Sequence, residues 1–168
     1  MKRILAGLAR VIPATWLGAG LAVSFVAIPV VFSPAVKAML PPESVGKVAQ
    51  EILGHYFLVQ LGLWVVGVAV RTAAGWPWRR YEALAWTLLG VGSVVAALWL
   101  HPKLRELHRI KYDPAQSGSV HEAAAAEFRT WHGISQGGNL LLLLTLGGLV
   151  AAGLGRPATD SGPGNSGG

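Results

Sequence analysis

The sequence predicts an all-α fold, a four-helix transmembrane bundle, up-and-down, with an interfacial helical connection between helices 3 and 4. Three observations lead there. Four apolar stretches, residues 11–33, 52–70, 83–100 and 134–154, each match the thickness of a bilayer. A helix rises about 1.5 Å per residue, so about 20 apolar residues cross a hydrocarbon core of roughly 30 Å. None of the four contains Lys, Arg, Asp or Glu. The helices of a soluble bundle keep a polar outer face, and these stretches are apolar nearly all round.

The spans occupy about half of the 168 residues. Residues 1–155 therefore read as one membrane domain and 156–168 as a disordered tail. Hydrophobic residues make up 52% and charged residues 13%, which is bundle composition and leaves no separate soluble domain. The net charge of +6 is spread around the apolar segments. It addresses anionic lipid headgroups and argues against nucleic acid as a partner. The absence of Cys excludes disulfides and thiolate metal sites, and two Met make a thioether copper path a poor fit.

Taken in order, helix 1 places Trp16, Gly20, Ser24 and Ala27 along one face. Small residues there admit a neighbouring helix closely, which is how helices gain packing energy in lipid. Pro13 and Pro29 sit near its ends, where a lost backbone hydrogen bond does least harm. Lys2, Arg3 and Arg10 precede the apolar run as in a signal peptide. That run, about 23 residues, exceeds the 7–15 of a signal h-region, so helix 1 reads as retained. Pro41-Pro42 marks a loop, and 43–51 reads as helix leading into helix 2.

Helix 2 ends at Arg71, whose stem is expected to snorkel to the surface. The segment GWPWRRYE (75–82) mixes aromatic and basic residues as membrane boundaries do. Helix 3 carries Gly90, Ser93, Ala97 and His101 on one stripe and is expected to stop at His101-Pro102, because proline disfavours helix in the residue before it. Residues 103–111 read as one or two helical turns, 112–118 as a turn, and 123–126 as helix running into helix 4. Lys and Arg divide evenly between the two sides, but they are denser near the span ends on the side of the termini. The reading is a bacterial inner (plasma) membrane protein with both termini cytoplasmic.

Chemistry concentrates in the histidines. His55 enters helix 2, His101 ends helix 3 and His132 enters helix 4, so an up-and-down bundle brings all three to one face. His132, Gln136 and Asn139 share a stripe, and Glu51 stands four residues before His55, the spacing for a carboxylate that orients an imidazole. His55, His101 and His132, supported by Glu51 and Asn139, are the candidate metal ligands. The cofactor implied is a transition metal, or haem held by two facing imidazoles. The competing reading makes each an interfacial side chain hydrogen-bonded to a loop, and His108 and His121 are read as solvated. No nucleophile elbow is present, and Gly18-Ala19-Gly20 lacks the strand–turn–helix context of a dinucleotide site. The sequence leans against an enzyme.

Trp16-Leu17-Gly18, then Ala27, Pro29 and Phe32, Phe57, His101-Pro102 and above all FRTWHGISQGGN (128–139) resemble the transmembrane protein 205-like membrane proteins. That resemblance implies a four-helix integral membrane protein without an agreed activity. It also implies a link to platinum-drug resistance through a eukaryotic member. Three functions follow. The first is a small bundle acting through packing, with a second copy or a membrane partner. The second is a metal- or haem-binding protein using the histidine face. The third is export of, or resistance to, a small molecule or drug.

Overall fold

Apolar segments this long form helices wherever water is excluded, because every backbone polar group must then be satisfied within its own segment. The computed structural model describes residues 2–154, with side chains over 4–153. It contains four helices long and apolar enough to cross a membrane: Ile4–Val31, Pro42–Ala73, Arg80–Lys111 and Gly118–Gly153. Every element among the described residues is helical. The chain is an integral membrane protein. The segment expected to be disordered, 156–168, lies outside the described residues.

The four helices pack antiparallel to their chain neighbours. Asn139 of the fourth donates to Ser24 Oγ of the first at 2.9 Å, which fixes the pairing of the two ends of the bundle. One core cluster gathers Ile12, Trp16, Trp86, Leu89, Leu146 and Leu149 toward the end that carries the termini. Toward the other end lie Tyr56, Phe57 and Ala96, then Val31, Val45 and Ala49. The outward faces remain apolar, with Leu98 69% and Leu144 65% exposed, as surfaces that meet lipid must be.

The small-residue stripes are filled inside the bundle. A Cβ added at Gly20 would lie 2.5 Å from Tyr56 Oη and 2.6 Å from Leu143 Cδ2. Gly90 lies under the Trp64 indole and Gly67 under that of Trp86. Trp64 Nε1 in turn donates to the Trp86 carbonyl at 2.8 Å, pinning the ring across the second and third helices.

Helix 3 does not stop at His101-Pro102. It runs from Arg80 to Lys111 through a five-residue π-turn, Ala96–Leu100, where the His101 amide bonds back to the Ala96 carbonyl. The first helix holds the same device, Val23–Ala27, with Ile28 bonding to Val23. Each π-turn stands just before a proline, Pro29 or Pro102. A helical proline lacks a donor and its ring crowds the carbonyl four residues back. The wider turn shifts that carbonyl and lets the helix continue.

The connection between helices 3 and 4 is accordingly helical on both sides of a short turn. Its two arms pair through Lys103–Glu127 (2.7 Å) and an edge-on Trp99–Trp131 contact (4.9 Å between centroids). At 32 residues the third helix spans about 48 Å, against roughly 30 Å of hydrocarbon, so the arms reach past the membrane core. In the turn, the Ala115 amide donates to Asp113 Oδ1 at 3.0 Å and holds that carboxyl below its ordinary pKa.

Arg71 does not snorkel. Its side chain is 6% exposed and pairs with Glu82, itself 3% exposed, while the guanidinium stacks on Trp78 (4.6 Å) and Trp76 (5.5 Å). Glu82 opens the third helix directly beside the end of the second, so a counter-charge is nearer than water.

Candidate functional site

The second helix omits side chains at two places two turns apart, Gly46 and Gly54, and the third helix fills both with histidines. A Cβ at Gly54 would stand 2.7 Å from His101 Nε2, and one at Gly46 would strike His108 Nε2. Glycine here permits close approach of a ring to backbone. His101 also meets Phe57 edge-on at 5.7 Å, and His108 lies against Tyr112 at 4.8 Å. From the fourth helix Phe128 contacts His108 at 6.1 Å and stacks on His132 at 5.7 Å, with 9° between the planes.

All of these rings except Tyr112 border a cavity of about 320 Å³ at the end of the bundle away from the termini. Its polar lining comes from all four helices and includes Ser24, Gln50, Tyr56, His101, His132 and Asn139. It descends from His132 to Asn139, about 10 Å along the helix axis, and so passes from the interfacial layer into hydrocarbon depth. No Lys, Arg, Asp or Glu lines it.

Several of these groups are already engaged. The Gln136 amide donates to His132 Nε2 at 3.2 Å, and Asn139 holds Ser24. Others are not. Tyr56 Oη and Gln50 Nε2 have no hydrogen-bond partner among the described residues, although both are buried atoms. The Tyr56 hydroxyl lies near Trp16 and Gln60, yet forms no hydrogen bond of proper geometry with either. Deeper in the bundle Trp16 Nε1, Gln60 Oε1 and Ser93 Oγ are in the same condition. Leaving a buried donor or acceptor unmet costs about 1–3 kcal/mol, which favours small rotations that bring Tyr56, Trp16 and Gln60 into bonding geometry with one another.

Of the three expected histidines, His101 and His132 line the cavity and His55 does not. His55 is exposed and donates from Nδ1 to the Glu51 carbonyl at 2.8 Å, while the Glu51 carboxylate reaches Arg105 at 3.1 Å. The third ring is His108, which is 5% exposed rather than solvated. It was hidden by the expected stop at Pro102. Once the helix continues, His101, Leu104 and His108 fall at i, i+3 and i+7, one face of one helix. His121 is half-buried and donates to the Asp113 carbonyl at 2.7 Å. Among the described residues no three His, Cys, Asp or Glu side chains gather as a metal ion requires. Phe128, in contact with both rings, separates His108 from His132.

A family model described as a domain of unknown function (DUF4149) matches residues 11–113, more than half of the chain. The chain belongs to the DUF4149 family. No curated protein and no solved structure matches it. The DUF4149 match takes in most of the first long helix and all of the second and third, and with them both glycine cradles, His101 and His108. It ends before 128–139, the stretch that carries most of the likeness to the transmembrane protein 205-like proteins.

Proposed function

We propose that this DUF4149 protein is a membrane-embedded binding protein for a small neutral polar molecule. The observation that carries this is a chamber that no Lys, Arg, Asp or Glu lines, bordered by polar side chains from all four helices, among them Ser24, Gln50, His101, His132 and Asn139. A charged ligand entering such a chamber would lose its hydration and meet no Lys, Arg, Asp or Glu, at a cost of several kcal/mol. A neutral polar ligand loses less and exchanges hydrogen bonds with the side chains that line the chamber. At about 320 Å³ the chamber lies near the lower bound of small-molecule sites, roughly 300–1,000 Å³.

Small-molecule binding accords better with the packing than action through a partner, since the small-residue stripes face Tyr56, Leu143 and Trp64 within the same chain. It also accords with the drug-resistance link that the resemblance to the transmembrane protein 205-like proteins implies. Metal ligation is the weaker reading, because the rings border a chamber instead of converging on a point.

The test is a histidine ring spectrum of the labelled protein in nanodiscs, titrated with tail-less dimethoxy-methyl-benzoquinone. All of this probe's oxygens are acceptors, and the chain has no Cys for it to alkylate. Saturable shifts at His101, His108 and His132, with His55 and His121 unmoved, are the expected result. Uniform or absent shifts refute the reading, as does stoichiometric zinc binding that perturbs the three cavity rings together.

A further inference from the structure

Beside the histidine cavity runs a second hollow, about 280 Å³, between the third and fourth helices. The two share Phe57, Ser135 and Asn139, so a single layer of side chains forms the wall between them. The second hollow sits at mid-bundle and opens outward. Its borders include Leu88, Val91 and Val95 on one helix and Ile134 and Leu141 on the other, all exposed in the apolar belt that faces lipid. Two of its polar side chains are engaged locally: Thr145 donates to the Leu141 carbonyl at 2.8 Å and Asn139 donates to Ser24. At Gly138 the floor is bare, since nothing lies within 4 Å of where a Cβ would be.

We infer that the ligand of the histidine cavity is a neutral amphiphile with a hydrocarbon tail, its head held among the histidines and its tail leaving through the groove between the third and fourth helices into the bilayer. This rests on the cavity reading and adds the substrate class and the route. Three features select this occupant. The groove adjoins the cavity across one layer of side chains, Phe57, Ser135 and Asn139, which a tail would have to part. Its surface is mostly apolar at hydrocarbon depth, which suits an alkyl or isoprenoid chain better than a polar group. No Lys, Arg, Asp or Glu lines the cavity, which suits a carbonyl- or hydroxyl-bearing head better than a phosphate. A tail moving from lipid into the groove exchanges one apolar surface for another, so it adds little affinity. Its location and path are therefore the properties to measure.

The probe is the same benzoquinone carrying a decyl tail with a diazirine near its middle, photolysed in nanodiscs with and without excess unlabelled tailed compound. In the wild type, the competable label is expected within 88–95 and 134–145, the two banks of the groove. Gly138→Leu fills the groove from the fourth helix and Val95→Trp from the third. Both project into open or lipid-facing space, so folding is undisturbed. Each should lower competable labelling about tenfold, the equivalent of about 1.4 kcal/mol. In both variants the tail-less quinone should still shift His101, His108 and His132. Gly148→Leu and Leu144→Trp, exposed positions outside the groove, should leave labelling as in the wild type. Histidine shifts without competable labelling of the groove, or labelling that survives both filled variants, overturn the tail route alone. Absence of histidine shifts in the wild type removes the cavity reading and this inference with it.

Discussion

Replacing Gly90 by Ala adds one methyl group where the Trp64 indole already lies. A Cβ there would come within 2.5 Å of both Trp64 Cζ2 and Nε1. The ring cannot simply rotate away, because Nε1 donates to the Trp86 carbonyl at 2.8 Å. Overpacking of this kind costs about 1–3 kcal/mol and loss of the hydrogen bond about 0.5–1.5. Ala in place of Gly returns about 1 kcal/mol of helix propensity. Gly90→Ala is thus expected to destabilise the bundle by about 0.5–3.5 kcal/mol. Gly62→Ala is the comparison: nothing lies within 4 Å of its Cβ, so it should stabilise by up to about 1 kcal/mol. The assay is loss of helical signal on titrating denaturing into mild detergent, with Trp64→Phe introduced in both backgrounds. The smaller ring should relieve Gly90→Ala, giving a double variant more stable than the sum of the singles by at least about 0.5 kcal/mol. If Gly90→Ala is as stable as Gly62→Ala, or if Trp64→Phe brings no relief, the close-packing argument is wrong.

In the same titration, Glu82→Leu should destabilise by about 3–5 kcal/mol by removing a carboxylate from a buried pair. Arg71→Met combined with Glu82→Leu should recover most of that loss, because a buried pair replaced by apolar groups is often neutral. His108→Ala should cost about 0.5–3 kcal/mol, and His55→Ala less than about 0.5, since only the first ring is buried. Topology reporters at Gly75 and after Leu154 should respond alike and one at Ser117 oppositely; disagreement between the first two refutes an even number of spans.

Hydropathy made the four spans legible because lipid imposes one rule on every residue of a span, and each stretch obeys it without a single charge. The turn at 75–82 was legible for the same reason, as Trp and Arg settle where apolar and aqueous layers meet. What could not be read depended on pairs distant in sequence. Arg71 looked like a snorkelling residue until Glu82 was brought beside it. The stop at Pro102 followed correctly from local sterics, yet a π-turn five residues long overrode it. With the stop went the place of His108, whose spacing from His101 has meaning only on an unbroken helix. His55 adjoins Gly54 in sequence, but one residue is about 100° around a helix, enough to carry its ring from the cavity to the outside. The glycines at 46 and 54 gave no sequence signal of their own, since their role appears only against the two rings that fill them.

A π-turn contains one residue more than an α-helical turn requires, and so behaves as an insertion that the helix absorbed without unfolding. Deleting one residue from Ala96–Leu100 would restore regular winding and leave everything beyond it facing nearly as before, because the π-turn spreads one turn over an extra residue. His101 and His108 would keep their places against Gly54 and Gly46. The same deletion in the regular helix on either side would turn the far arm by about 100° and carry both rings off their glycines. The chamber wall therefore tolerates the loss of one codon at the π-turn and not in the α-helical turns beside it.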